Sequence, residues 1–278
     1  MASVTEKRHA FRELHKAGCF VIPNPWNVGS ALYLQSLGFP ALASTSSGHA
    51  YSLGFADGAL GRDTVLAHYA ELAAATDIPL NADFENGYAH EPEAVADNVR
   101  RCIDTGVAGL SIEDFTGDES NPLYDFDKAV ARVRAARQAI DKSGSGVLLT
   151  GRAEGFLHGR PDLDDAIRRL TAFAEAGADC LYVPGIKSRE QIEAVVKAVA
   201  PKPVNLLMSS ATGLTVQDIA GMGVRRISVG GALARVALDA FIKAATLIAQ
   251  DGKFDRLGGI ISGSELDAFF ARNKPSKP

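Results

Sequence analysis

Cysteine is scarce in this 278-residue chain: Cys19, Cys102 and Cys180 are its three, far apart and outside any C-x-x-C or Cys/His cluster. That spacing suggests neither a zinc site nor a disulfide framework and fits a reducing, cytoplasmic compartment. Long apolar runs are missing too. None approaches the roughly 18 residues that cross a bilayer, and residues 1–18 are mixed polar and charged, without the apolar centre of a signal peptide. No basic run or basic helix face stands against the formal net charge of −4, so neither nucleic acid nor a membrane is an expected partner. With 46% apolar and 22% charged residues the chain can bury a sizeable core, and small-molecule chemistry is the expectation that remains.

Apolar runs and helical periodicities alternate along the whole length. Strand-like runs fall at 19–22, 41–43, 79–84, 109–112, 147–150, 180–183, 204–208 and 226–229, and helical patterns follow at 28–37, 63–76, 92–105, 127–142, 163–176, 189–199, 215–222 and 232–250. Eight strand–helix repeats predict an α/β fold, a (β/α)8 TIM barrel, as one domain over 1–278 with its core at about 20–250. A doubly wound sheet of six or seven strands is the alternative, because the helix at 215–222 is short. A helix at 6–16 is expected to cap one end of the core. Asn27 is placed to cap the next helix, and Gly38, Gly106, Gly177 and Gly223 to end helices in left-handed turns. An extra helix at 264–272 follows glycine hinges, and the tail at 274–278 is expected to fray.

In a barrel the chemistry gathers where strands end. Pro79-Leu80-Asn81-Ala82-Asp83-Phe84-Glu85-Asn86-Gly87-Tyr88 runs from an apolar strand start into two acids, and if it stays extended, alternation puts Asp83 and Glu85 on one face. A lone D-x-E is more often a solvated turn. Here, however, Asp57 follows strand two, Glu113 ends strand four, Arg152 and Glu154 end strand five, and Asn205 lies in strand seven. Asp57, Asp83, Glu85 and Glu113 meeting at one mouth would repel one another unless a cation sat among them, and Mg²⁺, with Mn²⁺ as a substitute, suits such hard oxygen donors. Asp83 is the expected direct ligand. Arg152 is read as a bidentate anchor for a substrate carboxylate, or else as a structural ion pair to Glu113 or Glu154. Ser46 and Ser47, beside the small Gly48, offer backbone N–H groups to a second oxyanion.

Taken together, Thr45-Ser46-Ser47-Gly48, Leu53-Gly54-Phe55-Ala56-Asp57, Asp83-Phe84-Glu85-Asn86-Gly87-Tyr88, Ser111-Ile112-Glu113-Asp114 and Gly151-Arg152 resemble the isocitrate lyase/phosphoenolpyruvate mutase superfamily, over roughly 20–248. The resemblance implies a Mg²⁺-dependent barrel that makes or breaks C–C or P–C bonds beside a 2-oxo acid through an enolate. It implies a metal shell of Asp57, Asp83, Glu85 and Glu113, an oxyanion site at Ser46 and Ser47, and Arg152 as substrate anchor. It also implies a homo-oligomer, dimer or tetramer, that exchanges its last helix between subunits. The departures are as informative. Isocitrate lyases carry a lysine-lysine-cysteine-glycine motif after strand four, and the phosphono enzymes a lysine and an asparagine there. The loop at 115–126 has neither lysine nor cysteine, and Asn121 is its only asparagine.

The chain is therefore expected to be a lyase cleaving a C–C bond of a 2-oxo or 2-hydroxy di- or tricarboxylate, oxaloacetate-type decarboxylation included. P–C chemistry on a phosphonopyruvate-like acid and non-catalytic dicarboxylate binding are the alternatives. The proton donor is open among His49, Tyr51, Tyr88, His90 and His158. Selectivity is expected in the loop at 115–126 and near His158.

Overall fold

A computed structural model describes residues 2–273; the expected frayed tail lies outside the described residues. Each apolar run forms a short strand: β1 (Phe20–Ile22), β2 (Leu42–Ala43), β3 (Leu80–Ala82), β4 (Gly109–Glu113), β5 (Leu148–Arg152), β6 (Cys180–Tyr182), β7 (Val204–Leu207) and β8 (Arg226–Ser228). The strands are parallel and neighbour one another in chain order from β2 to β8, with β8 pairing back to β1. Ala43 N–H donates to the Pro23 carbonyl at 3.1 Å and the Asn24 amide to the Ser44 carbonyl at 2.9 Å, drawing the β1 and β2 ends together. A doubly wound sheet would reverse its strand order; this one runs round into a nearly closed (β/α)8 barrel.

Strand alternation sorts the side chains. Leu110, Ile112, Leu149, Leu181, Leu206 and Ile227 belong to the large core shared with the helices, while Phe20, Ile22, Ala43, Leu148 and Cys180 form a smaller interior cluster with Phe11. Each fully buried Leu, Ile or Phe contributes roughly 1.5–3 kcal/mol. Gly151 faces outward where a Cβ would lie 3.0 Å from that of Phe173, so the strand bearing Arg152 sits flush against its following helix.

The helices are α1 (Val4–Leu14), α2 (Val28–Ser36), α3 (Ser46–Ser52), α4 (Arg62–Ala75), α5 (Pro92–Asp104), α6 (Phe126–Ser143), α7 (Leu163–Glu175), α8 (Arg189–Val199), α9 (Val216–Gly221), α10 (Ala232–Asp251) and α11 (Gly263–Arg272). The first caps the barrel floor, as expected: Phe11 is fully buried, and Arg8 and Arg12 donate to carbonyls of Ile103, Val107 and Gly146. Asn27 caps α2 through the Ser30 N–H, and Gly38, Gly106, Gly177 and Gly223 all hold positive φ. Two local expectations are corrected. The small residues after β2 form a helix, α3, because the Thr45 hydroxyl caps the Gly48 N–H. Strand β3 ends at Ala82, and Glu85 turns to φ +44°, so alternation does not place it beside Asp83. Helix α11 lies against α2, with the Phe269 and Tyr33 rings 5.2 Å apart.

Candidate active site

A cavity of about 160 Å³ opens at the carboxyl ends of the strands. Its lining joins Ser46 and Ser47 of α3, Asp57, Asp83 after β3, Arg152 of β5, Tyr182 of β6 and Asn205 of β7. Arg152 is its electrostatic hub. Nη1 meets Asp83 Oδ1 at 2.6 Å and Glu113 Oε1 at 2.7 Å, Nε meets Glu154 Oε1 at 2.8 Å, and the guanidinium lies 4.8 Å over the Tyr182 ring. Desolvation works against this charge, but Glu113, Glu154 and Asp83 more than offset it and hold the Arg152 pKa above its usual range. Burial pushes the Glu113 carboxyl up, against the attraction of Arg152. The cation among these acids is thus a guanidinium. Both readings of Arg152 bear on it: it is ion-paired to Glu113 and Glu154, and Nη2 is the nitrogen with no carboxylate partner among the described residues.

Asp83 is fixed from all sides. Its N–H donates to Ser44 Oγ at 2.8 Å, its carbonyl accepts from the Tyr69 hydroxyl at 2.5 Å, and Oδ2 accepts the Ser46 N–H at 3.0 Å. The oxyanion reading is therefore narrowed. The Ser46 N–H is taken, whereas the Ser47 N–H lies in the first turn of α3, where no intrahelical acceptor exists. Gly48 is buried and serves packing: a Cβ there would come within 2.7 Å of Thr45 Cγ2 and 3.1 Å of both Ala234 and Trp26.

Of the remaining acids of the expected metal shell, Asp57 lines the first cavity and Glu85 stands beside it. Glu85 lines a neighbouring cavity of about 490 Å³ with Tyr88, His90 and Phe115, and Asp57 lines both. Desolvation pushes the Glu85 carboxyl up to about 7; the hydrogen bond from the Tyr88 hydroxyl, 2.8 Å long, opposes this, and the charges of Asp83 and Asp57 add to it. Asp57 sits on an exposed loop, yet desolvation and then Asp83 raise its carboxyl too. Among the described residues no three His, Cys, Asp or Glu side chains are gathered as a ready metal cage. Mg²⁺ asks for only one or two carboxylates and keeps its waters, and the mutual repulsion of Asp57, Asp83 and Glu85 is what a dication relieves. The donor set fits a hard divalent ion.

A pH dependence follows. As a ligand to such an ion Glu85 would have to be ionised, so on that assignment affinity for Mg²⁺ should rise with pH through about 7. Titration calorimetry at pH 6 and pH 8 should differ by roughly tenfold. Glu85→Gln should flatten that difference while weakening binding. The folded-state pKa lies above the ordinary 4.5, so the metal-free protein loses stability as pH rises from about 4.5 to about 7. The Gln variant should melt higher than the parent at pH 8 without metal.

The floor of the cavity is a polar layer of which the sequence marks only Asn205. Arg226 donates to Asn205 Oδ1 at 2.8 Å and Thr150 Oγ1 at 3.0 Å, and the Asn205 amide donates to Ser228 at 2.9 Å. Asn205 therefore meets the site with both ends of its amide engaged. Asn24, which the sequence also leaves unmarked, accepts the N–H groups of Val229 and Gly230 at 2.9 Å each. Period-two alternation from Arg152 back to Thr150 was the signal available for this layer. Asp114, within the Ser111–Asp114 motif, is structural: it accepts the Glu154 N–H and pairs with Arg169.

The proton-donor candidates disperse. His49 stacks on His68 at 3.6 Å, and Tyr51 is exposed. Tyr88 donates to Glu85, and His90 Nδ1 lies 2.6 Å from the Tyr124 hydroxyl, both beside the larger cavity. His158 stacks on Phe115 and meets Glu119 at 3.0 Å, joining the loops after β5 and β4. The second of these loops is itself ordered, with Phe115 bridging Leu123 in antiparallel fashion.

The family profile described as phosphoenolpyruvate phosphomutase matches residues 11–249. A crystal structure of a lyase/mutase candidate from Burkholderia cenocepacia J2315 is 46% identical, with 96% of this chain and 97% of that one covered and a TM-score of 0.93. An oxaloacetate decarboxylase of Paraburkholderia xenovorans is 32% identical over 241 residues, 84% of this chain and 77% of that protein. Oxaloacetate acetylhydrolase, solved with its product oxalate, is 26% identical, with a TM-score of 0.85 over 98% of this chain and 99% of that one. With its barrel, its strand-end acids and a profile match over most of its length, the chain belongs to the phosphoenolpyruvate mutase family, within the PEP mutase/isocitrate lyase superfamily.

Proposed function

We propose that the protein is a divalent-metal-dependent carbon–carbon lyase acting on a 2-oxo or 2-hydroxy dicarboxylate, with oxaloacetate-type decarboxylation its simplest reaction. The observation that carries this reading is the small polar cavity in which Arg152, the α3 N-terminus and Asp83 meet. Its volume of about 160 Å³ equals the share of roughly five waters, enough for a small diacid. The oxaloacetate decarboxylase and acetylhydrolase relatives act on such an acid.

Asp83, Asp57 and Glu85 are the residues that would hold Mg²⁺, with Glu113 behind them against Arg152. When bound, the ion supplies charge that polarises the 2-oxo group and stabilises an enolate. The protein's own part is positional. Arg152 presents Nη2 towards a substrate carboxylate, and the Ser47 N–H offers a fixed donor at a helix N-terminus. In decarboxylation the C–C bond to the departing carboxylate breaks and releases CO₂, its electron pair passes into the enolate, and one proton from solvent converts that enolate to the 2-oxo acid. This route needs no acid on the loop after β4, which turns Phe115, Thr116, Gly117 and Glu119 towards the larger cavity. The absence of lysine from that loop disfavours P–C chemistry.

The test is a panel of oxaloacetate, malate and 2-alkylmalates, citramalate, isocitrate and phosphonopyruvate, with Mg²⁺ and with EDTA. Release of pyruvate or another 2-oxo acid from a carbon acid, above the metal-only rate, supports the lyase. Turnover confined to phosphonopyruvate, or oxalate binding with no acid consumed, overturns it.

The assembly belongs to the same reading. Helix α10 leaves Val236, Phe241 and Ile242 exposed, Phe241 by 68%, and Ile260 and Ile261 beyond it are exposed as well. Exposed apolar side chains of this kind are what a subunit interface would cover, and we read the protein as a homo-oligomer, dimer or tetramer, built on α10 and the segment leading into α11. Sedimentation should show a single oligomer that Phe241→Glu dissociates; a monomeric parent would contradict this. Among the described residues no helix is long and apolar enough to cross a membrane.

A further inference from the structure

Two arginines line the catalytic cavity, in opposite surroundings. Arg152 is outnumbered, with Asp83, Glu113 and Glu154 all on one guanidinium. Arg226 is only 3% exposed, yet among the described residues no carboxylate pairs with it. Its Nε donates to Asn205 Oδ1 at 2.8 Å, its Nη2 to Thr150 Oγ1 at 3.0 Å, and its Nη1 meets His15 Nε2 at 3.3 Å. All three partners are uncharged. His15 Nδ1 faces the Phe11 carbonyl at 2.7 Å, so the ring proton sits there and Nε2 is the bare acceptor. Burial and then the Arg226 charge push His15 down to about 3, which keeps it neutral. Arginine does not shed its proton on burial as lysine can, so a full positive charge is held under the cavity by dipoles alone.

We propose that Arg226 is the unpaired counter-charge of the site, a positioning residue that makes the cavity select ligands carrying two negative charges over those carrying one. The inference rests on the lyase reading for the ligand and adds what holds its charge. Three observations carry it. The first is the missing partner: a buried charge without a counter-ion is strongly unfavourable, so an anion arriving above it regains part of what folding lost. The second is depth. Thr150 lies two residues before Arg152 on β5, which sets the Arg226 layer roughly 7 Å below the acids that crowd Arg152. The third is direction. A guanidinium only donates, so Asn205 turns its oxygen to Arg226 and its amide to Ser228 Oγ at 2.9 Å, leaving the Ser228 hydroxyl its own proton to donate. Ser228 lines the cavity, and the layer thus presents its positive ends upward. Oxaloacetate is a dianion and loss of CO₂ leaves a dianionic enolate, so this charge acts alike on the acid and its enolate and bears on affinity more than on the chemical step.

The test is calorimetry of the Mg²⁺-loaded protein with oxalate, a dianion, and oxamate, its monoanionic near-isostere. Arg226→Gln keeps an amide donor for Asn205 and removes the charge. Oxalate affinity should then fall at least about tenfold and oxamate affinity about threefold, because the attraction scales with ligand charge. Arg226→Lys keeps the charge and breaks the fork, and should hold the oxalate-to-oxamate ratio within about twofold of the parent's. Asn205→Asp neutralises the guanidinium in place: it should cut oxalate affinity as Arg226→Gln does while raising the melting temperature, and it carries the test if Arg226→Gln fails to fold. In oxaloacetate turnover the larger change in both should be in KM rather than kcat. A ratio unchanged in Asn205→Asp, or lost equally in Arg226→Lys and Arg226→Gln, overturns the counter-charge and leaves the lyase reading standing. A parent protein that binds neither anion overturns both.

Discussion

Arg152→Met lowers the stability of the protein by about 3–5 kcal/mol, because it strands acids that were placed to face one cation. Asp83, Glu113 and Glu154 all lie within 2.8 Å of the guanidinium, and the Arg152 side chain is only 12% exposed. Taking the charge away leaves their desolvation uncompensated, which is a larger loss than the ion pairs were worth as a net gain. For a domain of this size the melting temperature should drop on the order of 10 °C. The sign with pH is fixed by Glu113, whose folded-state pKa is raised: as pH falls through that value the carboxyl takes up a proton, and the penalty shrinks. Thermal melts of parent and variant at pH 8 and pH 5.5 should therefore converge on the acid side. Arg152→Lys keeps a charge but cannot bridge acids on three strand ends with a planar fork, and should fall between the two. Equal melting of parent and Arg152→Met at pH 8 would remove the guanidinium from the centre of the site.

Asp83→Asn separates function from stability. The amide is isosteric, its oxygen still accepts the Ser46 N–H, and Arg152 keeps Glu113 and Glu154, so the melting temperature should move by only a few degrees. Turnover should fall on the order of 10³-fold, and Mg²⁺ affinity by at least about 100-fold. On the proposed reading the two effects should appear together, since the carboxylate that would receive the ion is also the one that accepts the Ser46 N–H at the start of α3. A variant that keeps its Mg²⁺ affinity while losing activity would assign Asp83 to Arg152 alone.

The barrel was legible because its signals are local and repeated. Eight apolar runs separated by amphipathic stretches, with glycines where left-handed helix ends require them, leave few other ways to bury the apolar faces. The acids were legible as a set, since strand ends gather at one mouth in this architecture. How they meet was harder to read. Alternation was extrapolated through Asp83 to Glu85, but a residue at φ +44° is no longer on a strand, and that turn sends Glu85 into the adjoining cavity. The need for a cation was sound electrostatics, yet Arg152 on the neighbouring strand supplies part of it, a pairing that depends on the β4–β5 register of Glu113 opposite Arg152. From sequence the Ser46 N–H is open to a ligand, because nothing local shows that a helix begins there and points it at Asp83. Arg226, Asn205 and Thr150 lie far apart in sequence, and only the closed barrel brings them into one layer.

The account turns on whether a metal and a small diacid meet at Asp83 and Arg152 and react there. The most direct measurement follows ¹³C-labelled oxaloacetate by NMR with protein and Mg²⁺, beside Mg²⁺ alone and the Asp83→Asn variant. The account predicts enzyme-dependent formation of labelled pyruvate and CO₂ above the metal-only rate, suppressed by oxalate and by EDTA and lost in the variant. Oxaloacetate that decays no faster with the protein than with Mg²⁺ alone, while oxalate still binds, would contradict it.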